Sequence, residues 1–149
     1  MTDAWSLEGD EGENVHAESP GATFIAVMIA ILRSIVAVIV GYIVFAASAF
    51  AVFRLSGHAA HATASMPFML LTIASGVAFA ALGGYVAGWL AGRRPLAHAI
   101  AMAALLTAGA TASLVSTLGH GAIWSQVAAL TLMAPSAVLG GWLRARVAR

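Results

Sequence analysis

The sequence has no cysteine and no lysine, and no acidic residue follows position 18. Without thiols the chain forms no disulfide, no thiolate metal site and no cysteine nucleophile. Only 9% of its 149 residues are charged, whereas a soluble domain has about 25%. With 61% hydrophobic residues and a mean hydropathy of +0.93, the chain has too few polar residues to cover a soluble domain. The composition predicts a single-domain, all-α integral membrane protein.

The charges are segregated along the chain. All six acidic residues lie before position 19, in a polar and turn-rich segment, and we predict that residues 1–22 form a disordered tail. All seven basic residues are arginines, from Arg33 onward. The lack of lysine beside abundant alanine suggests a GC-rich bacterial genome. Met28 stands just before the first natural span, and we note it as an alternative translation start.

Residues 23–149 contain four apolar segments, each long enough for a hydrocarbon core of about 30 Å. We predict a four-transmembrane-helix bundle of two hairpins, with helices at about 34–53, 67–91, 96–118 and 123–143. Arg33 belongs at a membrane interface because a buried charge there would need a partner. Residues 22–32 are therefore an interfacial or protruding extension. Pro95 opens the third helix after a tight turn, and Pro135 should kink the fourth.

Small residues recur at every fourth position of the second segment, which places them on one helical face. Such faces let helix backbones approach closely in lipid, where leucine burial contributes little to association. Glycines in the first and fourth segments extend the pattern. The predicted helix-packing residues are Gly76, Ala80, Gly84, Gly88 and Gly92, with Gly41, Gly140 and Gly141.

The arginines predict the orientation. If the N-terminus is cytoplasmic, the inner side holds every arginine except Arg54. Short loops with this bias follow the positive-inside rule. We therefore predict a multi-pass protein of the bacterial inner membrane with both termini in the cytoplasm. Its topology anchors are Arg33, Arg93, Arg94, Arg144, Arg146 and Arg149.

Three stretches carry a family resemblance: RSIVAVIVGY from Arg33, GGYVAGWLAGRRPLAHA from Gly83, and LGGWLRAR from Leu139. Together they resemble a group of small four-helix bacterial inner-membrane proteins of unknown function. The resemblance extends from about Arg33 to the C-terminus. It implies the four-helix fold and the inner-membrane location, and it implies no activity and no catalytic residue. The acidic segment before Arg33 departs from the pattern.

Histidines are the candidates for chemistry. His58 and His61 stand three residues apart, and His120 lies in a turn on the same predicted side. Three neutral imidazoles can bind zinc or copper. Solvated loop histidines are the simpler interpretation, and we predict no cofactor. We expect His98, near the inner arginines, to cap or snorkel at that interface.

The spans contain no carboxylate for proton coupling, and the chain has no common hydrolase, metalloprotease or nucleotide-binding motif. We predict a non-enzymatic accessory or scaffold subunit, or a homo-oligomer, assembled through small-residue helix packing. We predict that the protein contacts the lipid bilayer and either a second copy of itself or another membrane subunit. We predict no nucleic-acid partner. The alternative is an oligomeric channel or transporter for a small solute. Its pore would be lined by Thr72, Ser75, Thr107, Thr111, Ser113, Ser116 and Thr131.

Overall fold

The computed structural model describes residues 20–58, 63–118 and 122–148, except for the side chains of Pro20 and Ala22. It contains four long helices, α1 (Pro20–Ser56), α2 (Met66–Ala91), α3 (Pro95–Thr117) and α4 (Trp124–Val147). All four are long and apolar enough to cross a membrane. The prediction of four such helices is confirmed. Of the predicted disordered tail, residues 1–19 lie outside the described residues, whereas α1 already begins at Pro20.

Helix α1 is much longer than the 34–53 span that we predicted for it. Its 37 residues run without interruption through Arg33, a length of about 55 Å. The side chain of Arg33 marks where the bundle ends, because its Nε donates a hydrogen bond of 2.7 Å to the carbonyl of Leu90 near the end of α2. Residues 23–32, here called the projecting segment, therefore extend about 15 Å beyond that level.

Helix α2 lies at the centre of the bundle and packs against α1, α3 and α4. Helix α3 also contacts α1 and α4, whereas the backbones of α1 and α4 do not come close to each other along the described residues. The core is built mainly from alanines, with larger side chains from α3 and α4; its members include Ala80, Ala87, Met102, Leu106, Met133 and Ala137. These small side chains keep the helices close together.

The turn between α2 and α3 lies at the end of the bundle that holds Arg33, Arg93 and Arg94, which we call the arginine end. Gly92 has φ +72° and Arg94 has φ +49°, so the chain reverses through two left-handed residues before Pro95 opens α3. The first is easy for glycine, but the second costs about 1–3 kcal/mol for arginine. The opposite end of the bundle is called the distal end.

Helix α4 changes its hydrogen-bonding pattern just before Pro135. Residues Ala129–Met133 are π-helical, and the N–H of Ala134 donates to the carbonyl of Ala129, five residues back. A proline cannot donate to the residue four positions earlier, and its ring collides with that carbonyl in a regular α-helix. The kink that we predict from Pro135 therefore corresponds to a π-helical turn in the structure, which is wider than an α-helical turn.

Candidate functional site

A cavity of about 180 Å³ lies among all four helices in the distal half of the bundle. Most of its wall is apolar, with the rings of Tyr42 and Phe45 from α1 and the side chain of Leu106 from α3. The π-helical segment of α4 contributes Ala129 and Met133. A concave apolar site with a few polar groups is the usual form of a small-molecule site in a protein.

Gln126 provides the main polar group of this cavity. The residue is only 3% exposed, and its amide Nε2 donates to Thr117 Oγ1 at 3.3 Å and to Ser113 Oγ at 3.4 Å. The hydroxyl of Ser125 donates to Gln126 Oε1 at 3.0 Å. The two bonds from Nε2 link the start of α4 to the end of α3, and all three bonds together fix a polar patch on the cavity wall.

Thr72, on the α2 side of the cavity, is 6% exposed. Its Oγ1 atom is buried and has no hydrogen-bond partner among the residues that the structure describes. Its carbonyl accepts a 3.0 Å hydrogen bond from Ser75 Oγ. Because an unsatisfied buried hydroxyl costs about 1–3 kcal/mol, a guest with a polar group would be stabilised beside Thr72.

The hydroxyls that we predicted to line a pore fall into two groups. Thr72, Ser75 and Ser113 line the cavity. The others are exposed, and three of them bond to carbonyls of their own helices, which is the ordinary arrangement for hydroxyls in apolar helices. The exposed group is Thr107, Thr111, Ser116 and Thr131.

Between the cavity and the arginine end, helix α2 contacts both α1 and α4 at glycines. A Cβ atom on Gly41 would lie 2.6 Å from the carbonyl oxygen of Gly83 and 2.8 Å from Ala87 Cβ. A Cβ atom on Gly84 would collide with the carbonyl group of Ala137. Since backbone atoms cannot move aside as side chains do, these contacts require glycine.

The glycine pair in α4 lies against two different helices. A Cβ atom on Gly140 would collide with the carbonyl of Ala81 in α2, and one on Gly141 would collide with Ala99 Cβ in α3. Backbone packing of α4 thus closes the bundle in its arginine half.

The remaining predicted packing residues do not face the backbone of a neighbouring helix as closely. Gly76 faces the flexible end of Met133, Gly88 faces Pro95, and Ala80 is fully buried in the core. Gly92 differs from the predicted face, because it lies after the end of α2. A Cβ atom there would lie 2.6 Å from a terminal nitrogen of Arg33.

Five of the six predicted topology anchors lie among the described residues, and Arg149 lies outside them. Arg33, Arg93 and Arg94 line one groove at the arginine end. Arg146 lies over the ring of Trp142, 3.8 Å from its centroid, which is a cation–π contact. Arg144 is in the same last turn of α4.

Of the three candidate metal ligands, His58 alone is described, because His61 and His120 lie outside the described residues. The ring of His58 stacks on Phe68 with centroids 4.1 Å apart. Its Nδ1 donates to the carbonyl of Ser56 at 3.0 Å. One ring nitrogen is thus occupied by the backbone, and no group of three potential ligands occurs within the described residues.

Sequence reasoning did not single out Gln126. It is the only glutamine in the chain, and it stands in the first turn of an otherwise apolar span. A lone amide in such a segment is a signal, because amide side chains in lipid form hydrogen bonds across helices.

Comparison of the chain with protein-family models, curated proteins and solved structures finds no match.

Proposed function

We propose that the protein is a non-enzymatic, multi-pass protein of the bacterial inner membrane, with both termini in the cytoplasm, and that it works as a homo-oligomeric scaffold. The projecting segment of α1 carries this proposal. It extends past the arginine end, and almost all of its side chains are exposed. An apolar helix that is exposed on all sides indicates an interaction surface.

The outward face of α1 has the spacing of a helix-pairing seam. Phe24, Met28 and Ile31 follow one another at intervals of four and three residues, and each is at least 50% exposed. This alternation places large apolar side chains along one stripe, as in the a and d positions of a heptad. A second copy offers an identical stripe, so two α1 helices can cover each other in parallel.

The test is native mass spectrometry of the full chain, tagged at its C-terminus and extracted gently from its own membranes. We expect a homo-oligomer for the wild type and a monomer for the triple variant Phe24→Ala, Met28→Ala, Ile31→Ala. The matched control is Leu132→Ala with Leu139→Ala, which removes exposed apolar side chains from α4 and should leave the oligomer intact. A monomeric wild type, or a complex with one copy and a foreign subunit, would overturn the second-copy proposal.

The second candidate function is an oligomeric channel or transporter for a small solute. The cavity with Gln126 and the unpartnered Thr72 hydroxyl favours it. Flux through liposomes that contain the protein separates two routes. A Ser75→Ala variant should lose flux if solute passes through the cavity, and Thr111→Ala should lose flux if it passes between copies along α3. Equal behaviour of both variants and the wild type would exclude both routes.

A further inference from the structure

A second concave site lies at the arginine end, between α1, the α2–α3 turn and the start of α3. This groove has a volume of about 1000 Å³. Its basic lining comes from Arg33, Arg93, Arg94 and His98, and its apolar wall includes Ala26 and Ile29 of the projecting segment. The site is separate from the distal cavity.

The groove is suited to an anion. Three guanidinium groups line it, and none of the described residues that line it is acidic. The 23-residue helix α3 begins at the turn, so the positive end of its dipole lies at the same place. Guanidinium groups bind phosphate oxygens through two parallel N–H donors.

Two of the basic side chains are held in position by the backbone. The Nε of Arg33 donates to the Leu90 carbonyl at 2.7 Å, which uses one of the five N–H donors of the side chain. The Nδ1 of His98 donates to the carbonyl of Arg94 at 3.1 Å. Because a carbonyl can only accept, this bond fixes the proton on Nδ1.

An apolar furrow continues from the groove down the side of the bundle between α1 and α3. It has a volume of about 380 Å³ and is lined by Ile35, Val38, Ile39 and Ala101. The furrow and the groove share Ser34, Ala97 and His98, so they form one continuous surface. That surface is cationic at the end of the bundle and apolar along the spanning helices.

We propose that this surface binds an anionic phospholipid, with its phosphate in the arginine groove and an acyl chain in the furrow. Basic pockets between transmembrane helices recognise anionic headgroups in this way. A free phosphate ion has the same charged oxygens as the headgroup, but it has no acyl chain to occupy the furrow. This inference rests on the proposed insertion into the inner membrane.

The test is binding of phosphatidylglycerol to the full chain in detergent, followed by native mass spectrometry, with phosphatidylcholine as the neutral comparison. The variant Arg93→Gln with Arg94→Gln should weaken phosphatidylglycerol binding roughly tenfold or more. The matched control, Arg144→Gln with Arg146→Gln, removes the same charge from the same end of the bundle and should bind as the wild type does. Equal loss in both variants would overturn the site, as would equal binding of the two lipids.

A second variant tests the furrow. Ala101→Phe should fill it, lower phosphatidylglycerol binding and leave the binding of inorganic phosphate unchanged. If Ala101→Phe binds phosphatidylglycerol as well as the wild type does, the ligand is a phosphate ion and the lipid proposal is wrong. Retention of the protein in carbonate-washed membranes tests insertion separately, so failure of the proposed function can be told from failure of the lipid site.

Discussion

At the scale of single residues, the effect of a glycine-to-alanine substitution should depend on whether the glycine packs against backbone atoms or has space for a methyl group. The variant Gly84→Ala places a Cβ against the Ala137 carbonyl, whereas the nearest atom to a Cβ on Gly109 is the Tyr42 hydroxyl at 3.4 Å. We expect Gly84→Ala to lower the free energy of unfolding by about 1–3 kcal/mol, as overpacking does. Gly109→Ala should leave stability unchanged or raise it. Thermal unfolding in one detergent compares the two, and equal stabilities would contradict backbone contact at Gly84.

The pairing of Gln126 with Thr117 also makes a residue-scale prediction. Their bond joins α4 to α3, and interhelical hydrogen bonds in membrane proteins contribute about 0.6 kcal/mol on average and about 1.7 kcal/mol at most. A double-mutant cycle of Gln126→Met and Thr117→Val should give a coupling energy in that range, measured by denaturant unfolding in detergent. The control cycle combines Gln126→Met with Thr111→Val at an exposed position, and it should give no coupling energy.

At the scale of elements, helices α1 and α2 are each followed by a glycine with a positive φ. Gly57 and Gly92 have φ values of +70° and +72°, but a Cβ on Gly57 meets open space and one on Gly92 meets Arg33. Gly57→Ala should therefore cost about 1 kcal/mol from backbone strain alone, and Gly92→Ala should cost more. In an Arg33→Ala background the two alanine variants should become equally costly. Thermal unfolding measures this, and a persistent difference would exclude the Arg33 contact as its cause.

The sequence predicts the helices well because apolar length and proline positions decide them. Pro95 and Pro67 mark two helix starts, and the structure begins α3 at Pro95 and α2 one residue before Pro67. The predicted span at 34–53 starts just after Arg33, whereas α1 continues through Arg33 back to Pro20. Nothing in the apolar run before Arg33 stops a helix, and the level of the membrane does not determine where hydrogen bonding ends.

The cavity depends on how the helices cross. The periodicity of residues along one helix does not determine that crossing geometry. Thr72, Ser75 and Ser113 point inward, whereas Thr107 and Thr111 are exposed, although all five are hydroxyls on apolar helices. Close backbone contacts at the glycines lie in the arginine half, whereas bulkier side chains line the cavity in the distal half. Sequence reasoning found the candidate hydroxyls, but the three-dimensional arrangement selects among them.

At the scale of the whole molecule, the absence of cysteine makes the orientation directly measurable. A membrane-impermeant maleimide applied to intact cells with a permeable outer membrane should label His58→Cys at the distal end and should not label Ala148→Cys at the arginine end. After the inner membrane is opened, both variants should react. The reverse pattern would invert the proposed topology, and labelling of both in intact cells would indicate insertion in two orientations. The cysteine-free wild type is the control for background.

The uneven packing of the two halves has a consequence for how the sequence can diverge. Any single-base change that replaces a glycine adds at least a Cβ atom or ends translation. Gly84 and Gly140 face backbone carbonyls, so we expect no replacement within one base change to be neutral at these positions. The cavity wall has no such barrier, because exchanges among serine, threonine and alanine need one base and fit the space. Over evolutionary time we therefore expect drift to alter what the distal half accommodates while the arginine half keeps its glycines.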